Sequence, residues 1–443
     1  MSKALAEVPQ VHFTGDDIVS GRFPALQARM ALEHGPLYKW VIEEGPDAGE
    51  YLFMIGPEAN RFVLHTGREH FSHDLGWTPI IGKTLGKGLL NMDPPEHTRH
   101  RKLWNPAFTG AAMEAYLPVI ERVITERTRA WPHHDEVDVY HEAREITFDA
   151  AAAALAGFEP GAQVDELRRL FYTLLHGYDP GHETFDAFIQ RALRTRDRLA
   201  QLLLALIVER RSRPADEQPR DVIGMMVRAR DDEGRPLSDE QLLAHVNILL
   251  VAGHETTTTL SAWMLYLLAT LPEHRRRIEA ELDTLLGATP GPIGVDALRG
   301  MKQLDNFIKE TGRLYPPVIN VPRGVVSDFT FGGYTIPSGT QVRLALGAGH
   351  LLPQVFTAPQ HFDPDRFAPP REEDRRTPYG LVTFGGGTRI CIGIHFAQLE
   401  TKALAAHVLR HYRLEAVEGQ RLAHAGHWTA VLEQGIRLRV RPK

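Results

Sequence analysis

The sequence predicts a mainly helical α+β fold with small peripheral sheets, and three observations carry that reading. The composition is globular: 443 residues, 43% hydrophobic and 24% charged, with 38 glycines and 30 prolines. Those proportions exclude disorder, collagen and disulfide scaffolds. Between about Pro57 and Leu271 most stretches repeat apolar residues at three- and four-residue spacing, the helical period. Short β-type runs gather near the two ends of the chain. Helices in the middle with strands segregated to the ends fit an α-rich α+β arrangement.

The elements follow in order. LYKWVIEE from Leu37 and GEYLFMIG from Gly49 predict a β-hairpin, its turn supplied by Gly45, Pro46 and Asp47. EAYLPVIERVITERTRAW from Glu114 and FDAFIQRALRTRDRLAQLLLALIVERRS from Phe185 read as amphipathic helices. In PLSDEQLLAHVNILLVAGHETTTTLSAWMLYLLATLP, Ser238 with Gln241 makes a capping box and Pro272 marks the far end. Roughly thirty helical residues there would span about 45–50 Å. From Ala244 to Leu271 the only acid is Glu255, which raises a transmembrane reading. His245, Asn247, His254, Glu255 and four consecutive threonines in mid-run favour a central core helix instead. After Pro316 come β-type runs such as DFTFGGYTIPSGTQVRLAL, then a helix from about Ile394 to His411.

Charge and cysteine usage exclude several functions. Fifty lysines and arginines against 56 acids give a formal charge of −6, so nucleic acid is not an expected partner. The single cysteine, Cys391, permits no internal disulfide and no multi-cysteine metal site. The opening MSKALAEVPQVHFTGDD lacks the apolar stretch of a signal peptide or membrane anchor. A reducing, cytoplasmic setting is expected.

The most specific stretch is FGGGTRICIGIHFA, from Phe384 to Ala397. Gly385, Gly386 and Gly387 let the backbone fold tightly and approach a flat object. Cys391 lies just ahead of a helix that Gly393 begins, where free amides and the dipole favour a thiolate. Arg389 can offer a fork of donors to a carboxylate. A cysteine with no partner cysteine or nearby histidine suits a single axial ligand better than a zinc site. The string lacks the spacing of a phosphate loop. FGGGTRICIG resembles the haem-binding signature of the cytochromes P450, Phe-Gly-x-Gly-x-Arg-x-Cys-x-Gly, at every fixed position. Thiolate ligation of haem iron is an established property of that family.

Three further segments resemble family motifs in the required order. Glu310 and Arg313 stand at i and i+3 in KETGRLYPP, on one helix face. HFDPDRF resembles the family's Phe-x-Pro-x-Arg-Phe element, whose arginine, here Arg366, would complete a buried network with that pair. AGHETT resembles the oxygen-activation motif, which assigns Ala252 and Gly253 to haem and dioxygen, and Glu255 with Thr256 to proton delivery. His254-Glu255 also opens an HExxH pattern, but position 258 is threonine, so a zinc protease is excluded. In DPPEHTRHRKLW, His97 and Arg101 match a propionate-holding His-x-x-x-Arg pair. Arg323 falls where another propionate-binding arginine sits, and Arg99 with Lys102 would add to a basic patch for an acidic electron donor.

The resemblance implies the family's fold over 1–443 as a single domain. That fold is a helical prism with a long central helix and small peripheral sheets, its haem buried between the central helix and the one after the cysteine. No fused reductase or ferredoxin module is expected. Haem b would then be the cofactor, with Cys391 on the iron and Phe384, Arg389, Gly393, Ala252, His97, Arg101 and Arg323 around the ring. Electrons would come from NAD(P)H only indirectly, through a reductase and a ferredoxin or flavodoxin. A monomer without a membrane anchor is expected, using O2 to hydroxylate or epoxidise a fatty-acid-, terpenoid- or steroid-like molecule. A peroxide-driven peroxygenase and a non-catalytic haem sensor or carrier are the alternatives, and the intact Glu255-Thr256 pair counts against both. The pocket would be lined by the loop SHDLGWTPIIGKTLGKGLL (Trp77 and Ile80), by Val251, by Val318, Ile319 and Val321, and by the turn from Thr429 to Val431. Asn320 would orient a polar end of the substrate.

Overall fold

A computed structural model describes residues 2–14, 17–18, 21–42, 49–176, 184–214, 217, 221–230, 234–287, 291–426, 428–432 and 434–443. The principal helices are α1 (Phe23–His34), α2 (Asp74–Leu85), α3 (Glu96–Trp104), α4 (Gly110–Thr128), α5 (Val139–Ala156), α6 (Ala162–His176) and α7 (Phe185–Ser212). They continue with α8 (Val222–Arg228), α9 (Asp239–Thr270), α10 (Pro272–Leu286), α11 (Lys302–Leu314) and α12 (Ile394–His411). The chain divides into two compact units, and α4, α5 and α9 pass from one to the other.

The larger unit comprises 1–72, 120–146 and 255–443. Its main sheet has six strands: β1 (Gln10–Val11), β2 (Leu37–Ile42), β3 (Gly49–Ile55), β4 (Phe71–Ser72), β5 (Asn320–Val325) and β6 (Gln341–Ala345). Their order is β1-β2-β3-β6-β5-β4. Strands β2 and β3 pair antiparallel from Leu37↔Met54 to Ile42↔Gly49, as a hairpin requires. The turn residues Gly45, Pro46 and Asp47 lie outside the described residues. One face of the sheet carries Tyr38, Trp40 and Phe53, which pack with Phe23, Ile319 and Phe356, and the other carries Leu37, Leu52, Met54, Val342 and Leu344. This is the period-two alternation of strands covered on both faces.

The smaller unit comprises 73–119 and 147–254. It is helical, and one of its helices departs from expectation. The segment read as a loop from His73 onward forms α2 despite Pro79 inside it and Gly76 and Gly82. Local polar bonds and burial outweigh the breakers. Thr78 donates to Asp74, and the His73 amide donates to Asp93 at 2.6 Å. At the far end Asn91 accepts from the Gly88 amide at 2.9 Å and donates to the Gly86 carbonyl at 3.2 Å. Trp77 and Leu85 are buried.

At 32 residues, α9 is the longest of these helices. It starts at the capping box, where the Ser238 amide donates to Gln241 Oε1 at 3.0 Å and the Gln241 amide to Ser238 Oγ at 3.1 Å. Among the described residues no helix is long and apolar enough to cross a membrane.

Candidate active site

In the larger unit the cysteine loop closes on itself, the Cys391 amide donating to the Phe384 carbonyl at 2.9 Å. Gly385 and Gly387 adopt φ of +72° and +62°. A Cβ on Gly387 would stand 2.1 Å from the Leu64 carbonyl oxygen, and one on Gly386 would stand 2.9 Å from the Tyr379 ring. Glycine is therefore required here by close approach as well as by φ. Arg389 ends the one-turn 3-10 helix that starts at Gly387, and Gly393 is the N-cap residue of α12. Cys391 between them is exposed. Among the described residues no group of three or more histidine, cysteine or acidic side chains could hold a bare metal ion. One accessible sulfur on a glycine-lined loop fits a metal already held by an organic ring, namely haem.

Behind the loop lies a buried charge cluster. Glu310 accepts from Arg313 Nε and Nη2 at 2.7 and 2.8 Å, from Arg366 Nε at 3.0 Å and from the Asp363 amide at 2.9 Å. All three side chains are fully buried. A fourth member, Glu373, accepts from Arg366 Nη1 at 2.8 Å and makes the cluster charge-balanced. Burial opposes ionisation of Glu373, but hydrogen bonds from Arg371, the Thr357 amide and Arg366 hold its carboxyl below the usual range. Arg313 Nη1 donates to the His350 carbonyl at 2.9 Å, and His350 Nε2 accepts from the Val382 amide at 3.0 Å. Val382 in turn accepts from the Gly385 amide at 2.8 Å. The cluster thus reaches the cysteine loop through His350. Burial, then the Arg313 charge, lowers the His350 pKa to about 3, so the ring is neutral. Sequence reasoning missed both Glu373 and His350; the acid-rich REEDRR beside Arg366 was the available signal for the first.

The apolar segments around 318 and 429 are brought together. Val318 bridges Thr429, Ile319 N donates to the Trp428 carbonyl at 2.8 Å, and Ala430 N donates to the Pro317 carbonyl at 2.8 Å. Thr259 Oγ1 on α9 donates to the Ala430 carbonyl at 2.8 Å, fixing the turn to that helix. Val318, Val321, Thr429 and Val431 are partly buried. Two neighbours do not match the expected pocket. Ile319 is fully buried with Phe23, Tyr38 and Trp40. Asn320 is fully buried too, and its Oδ1 accepts from Gln27 Nε2 on α1 at 3.1 Å, so it serves the core rather than a substrate. Arg323 on β5 is buried and donates to the Pro322 carbonyl at 2.6 Å. On the same unit's part of α9, Glu255 is buried and Thr256 half-buried.

In the smaller unit His97 and Arg101 lie one turn apart on α3, His97 buried and Arg101 half-buried, while Arg99 and Lys102 are exposed. Trp77 is buried and Ile80 half-buried on α2. Ala252 is exposed and Val251 and Gly253 half-buried on α9.

This fold and this loop define a haem-thiolate oxidoreductase, and the chain belongs to the cytochrome P450 family, whose model matches residues 23–438. It is a bacterial-type cytochrome P450 monooxygenase. It is 32% identical to cytochrome P450 136 of Mycobacterium tuberculosis over 368 residues, 82% of this chain and 73% of that protein. With the sterol 14α-demethylase of Mycolicibacterium vanbaalenii it shares 30% identity over 396 residues, 86% of this chain and 87% of that one. The solved structure of retinoic-acid-bound cyanobacterial CYP120A1 matches with a TM-score of 0.85 at 25% identity, covering all of both chains.

Proposed function

We propose that the protein oxygenates an apolar molecule of sterol or terpenoid size at a haem b held by Cys391, with electrons delivered by an external ferredoxin or flavodoxin and its NAD(P)H-dependent reductase. The observation that carries this reading is the accessible sulfur on a loop whose glycines permit close approach and whose base is pinned to a buried charge cluster. When bound, haem supplies dioxygen activation and oxygen insertion. Arg323 and Arg389 are assigned to its propionates, and Phe384 and Ala252 to its faces. His97 and Arg101 join the propionate ligands on their match to the family motif alone.

Glu255, which is buried, and Thr256 Oγ1 are together assigned to delivering protons to the reaction. The half-buried valines 318 and 321, with Thr429 and Val431, contribute an apolar wall without a charged side chain. A sterol in the name of one relative and retinoic acid bound to one structural neighbour support a terpenoid-derived substrate.

The decisive experiment is the reduced carbon monoxide spectrum. A long-wavelength Soret band in the native protein, lost in Cys391→Ser, is the expected result; an ordinary band in the native protein refutes the assignment. A spectral-shift screen of sterols, retinoids and fatty acids then ranks substrates. Turnover with reductase and ferredoxin, compared with peroxide alone, separates monooxygenase from peroxygenase.

A further inference from the structure

Two histidines of the smaller unit meet where no motif places them. His100 lies on α3, between His97 and Arg101, and His245 lies on the first half of α9. His100 Nδ1 and His245 Nε2 are 2.7 Å apart, with ring centroids at 4.8 Å. Both rings are buried, His245 completely. Trp104, one turn further along α3, meets the His245 ring edge-on at 5.3 Å. Among the described residues, the buried His245 Nδ1 has no hydrogen-bond partner.

The chemistry of this bond depends on proton count. With both rings neutral, one proton lies between Nδ1 and Nε2 and the bond is satisfied. If His245 Nε2–H donates, the orphan Nδ1 is only a lone pair. A second proton has no good position. On His100 Nδ1 it must turn His245 Nε2 into an acceptor, which moves a hydrogen onto the orphan Nδ1. Placed directly on His245, it occupies the same orphan atom. Either way a buried N–H is left without an acceptor, the more costly kind of unpaired group. The charged groups acting on His100 are Glu96 and Arg99 of its own helix, of opposite sign, and the charge acting on His245 is that of His100 itself. Burial dominates in both, lowering His100 and bringing His245 to about 3.

We propose that His100 and His245 are positioning residues for the haem site: their neutral ring-to-ring bond fixes α3 against α9 and so sets His97 and Arg101, and haem retention fails when the pair takes up a proton. This rests on the reading that His97 and Arg101 hold the propionates. Neither histidine belongs to the set assigned to haem, so the effect acts through helix placement.

The test uses the haem-loaded protein, with haem transfer to apomyoglobin and amide exchange along α3 both followed from neutral pH down to about pH 4. In the native protein, transfer and α3 exchange should accelerate together as pH falls below about 6.5. His245→Leu removes the bond and should raise neutral-pH transfer about three- to tenfold, the equivalent of one buried hydrogen bond. His245→Gln can still bond His100 but loses one titrating ring. It should transfer haem near the native rate at neutral pH, with the acid acceleration reduced and displaced. If α3 exchange responds to these variants and haem transfer does not, the assignment of His97 and Arg101 has failed and the proposal with it. If neither responds, or if His245→Gln keeps the full native acid profile, the histidine bond positions nothing and the proposal is overturned.

Discussion

Replacing Glu310 by alanine removes the shared acceptor of two arginines that have no access to water. The carboxylate takes three guanidinium hydrogen bonds and one from the Asp363 amide, at 2.7–3.0 Å. Arg366 would keep Glu373, but Arg313 would be left with the carbonyls of His350, Pro359 and His361. Carbonyl dipoles cannot replace a full countercharge at a fully buried site, so the loss is about 3–5 kcal/mol. A typical domain is stable by only about 5–15 kcal/mol, which makes this a large fraction. Because Arg313 holds the His350 carbonyl and His350 holds the Val382 amide, the damage should reach the cysteine loop. Urea unfolding and haem content measure the two effects. Arg277→Ala is the control: Arg277 makes two bonds to Asp365, at 2.7 and 2.8 Å, but both side chains are nearly half exposed. Its loss should be under about 1 kcal/mol with haem retained. If Glu310→Ala unfolds no more easily than Arg277→Ala and keeps its haem, the cluster is not what holds the loop.

Three other perturbations have clear signs. Gly387→Ala, with φ of +62° and a Cβ 2.1 Å from the Leu64 carbonyl, should yield folded protein with little haem, read from the ratio of Soret to protein absorbance. Gly253→Ala should do the opposite to stability. Its Cβ would meet Ala151 at 3.4 Å and Leu155 at 3.7 Å, ordinary contacts, so the melting temperature should rise with a gain of about 0.5–1 kcal/mol. If the motif assigns Gly253 correctly to the reacting face, product per electron pair should fall; unchanged coupling would contradict that assignment. Acid should destabilise the fold through His424, whose Nδ1 accepts from Trp263 Nε1 at 3.0 Å and whose Nε2 donates to the Pro316 carbonyl at 3.0 Å. Burial, partly opposed by the Pro316 bond, lowers its pKa to about 4 from an ordinary 6.5. The neutral ring's contribution is therefore complete above 6.5 and is lost as pH falls toward 4, about 2 kcal/mol by pH 5. Urea midpoints at the two pH values should show that loss shrinking in His424→Gln.

How far the sequence can be read depends on how far apart the cooperating residues lie. The span of α12 and the capping box of α9 are local signals, and both stand in the structure: Ile394–His411, and Ser238 with Gln241. The glycines of the cysteine loop are local too, since positive φ is a property of single residues. The misreadings all involve distant partners. Trp77 and its helix looked like a loop because Pro79 and two glycines are visible in sequence, while the support from Asp93 and Asn91 is not. Family resemblance alone assigns Asn320 to the pocket. Its partner Gln27 lies 293 positions away, and no periodicity announces such a pair. His350 is the instructive case. Neither its ring nor its carbonyl belongs to any motif, yet it couples a buried arginine to the segment that carries the sulfur. The motifs therefore name the groups assigned to haem, whereas the residues that hold those groups emerge only when the chain is folded.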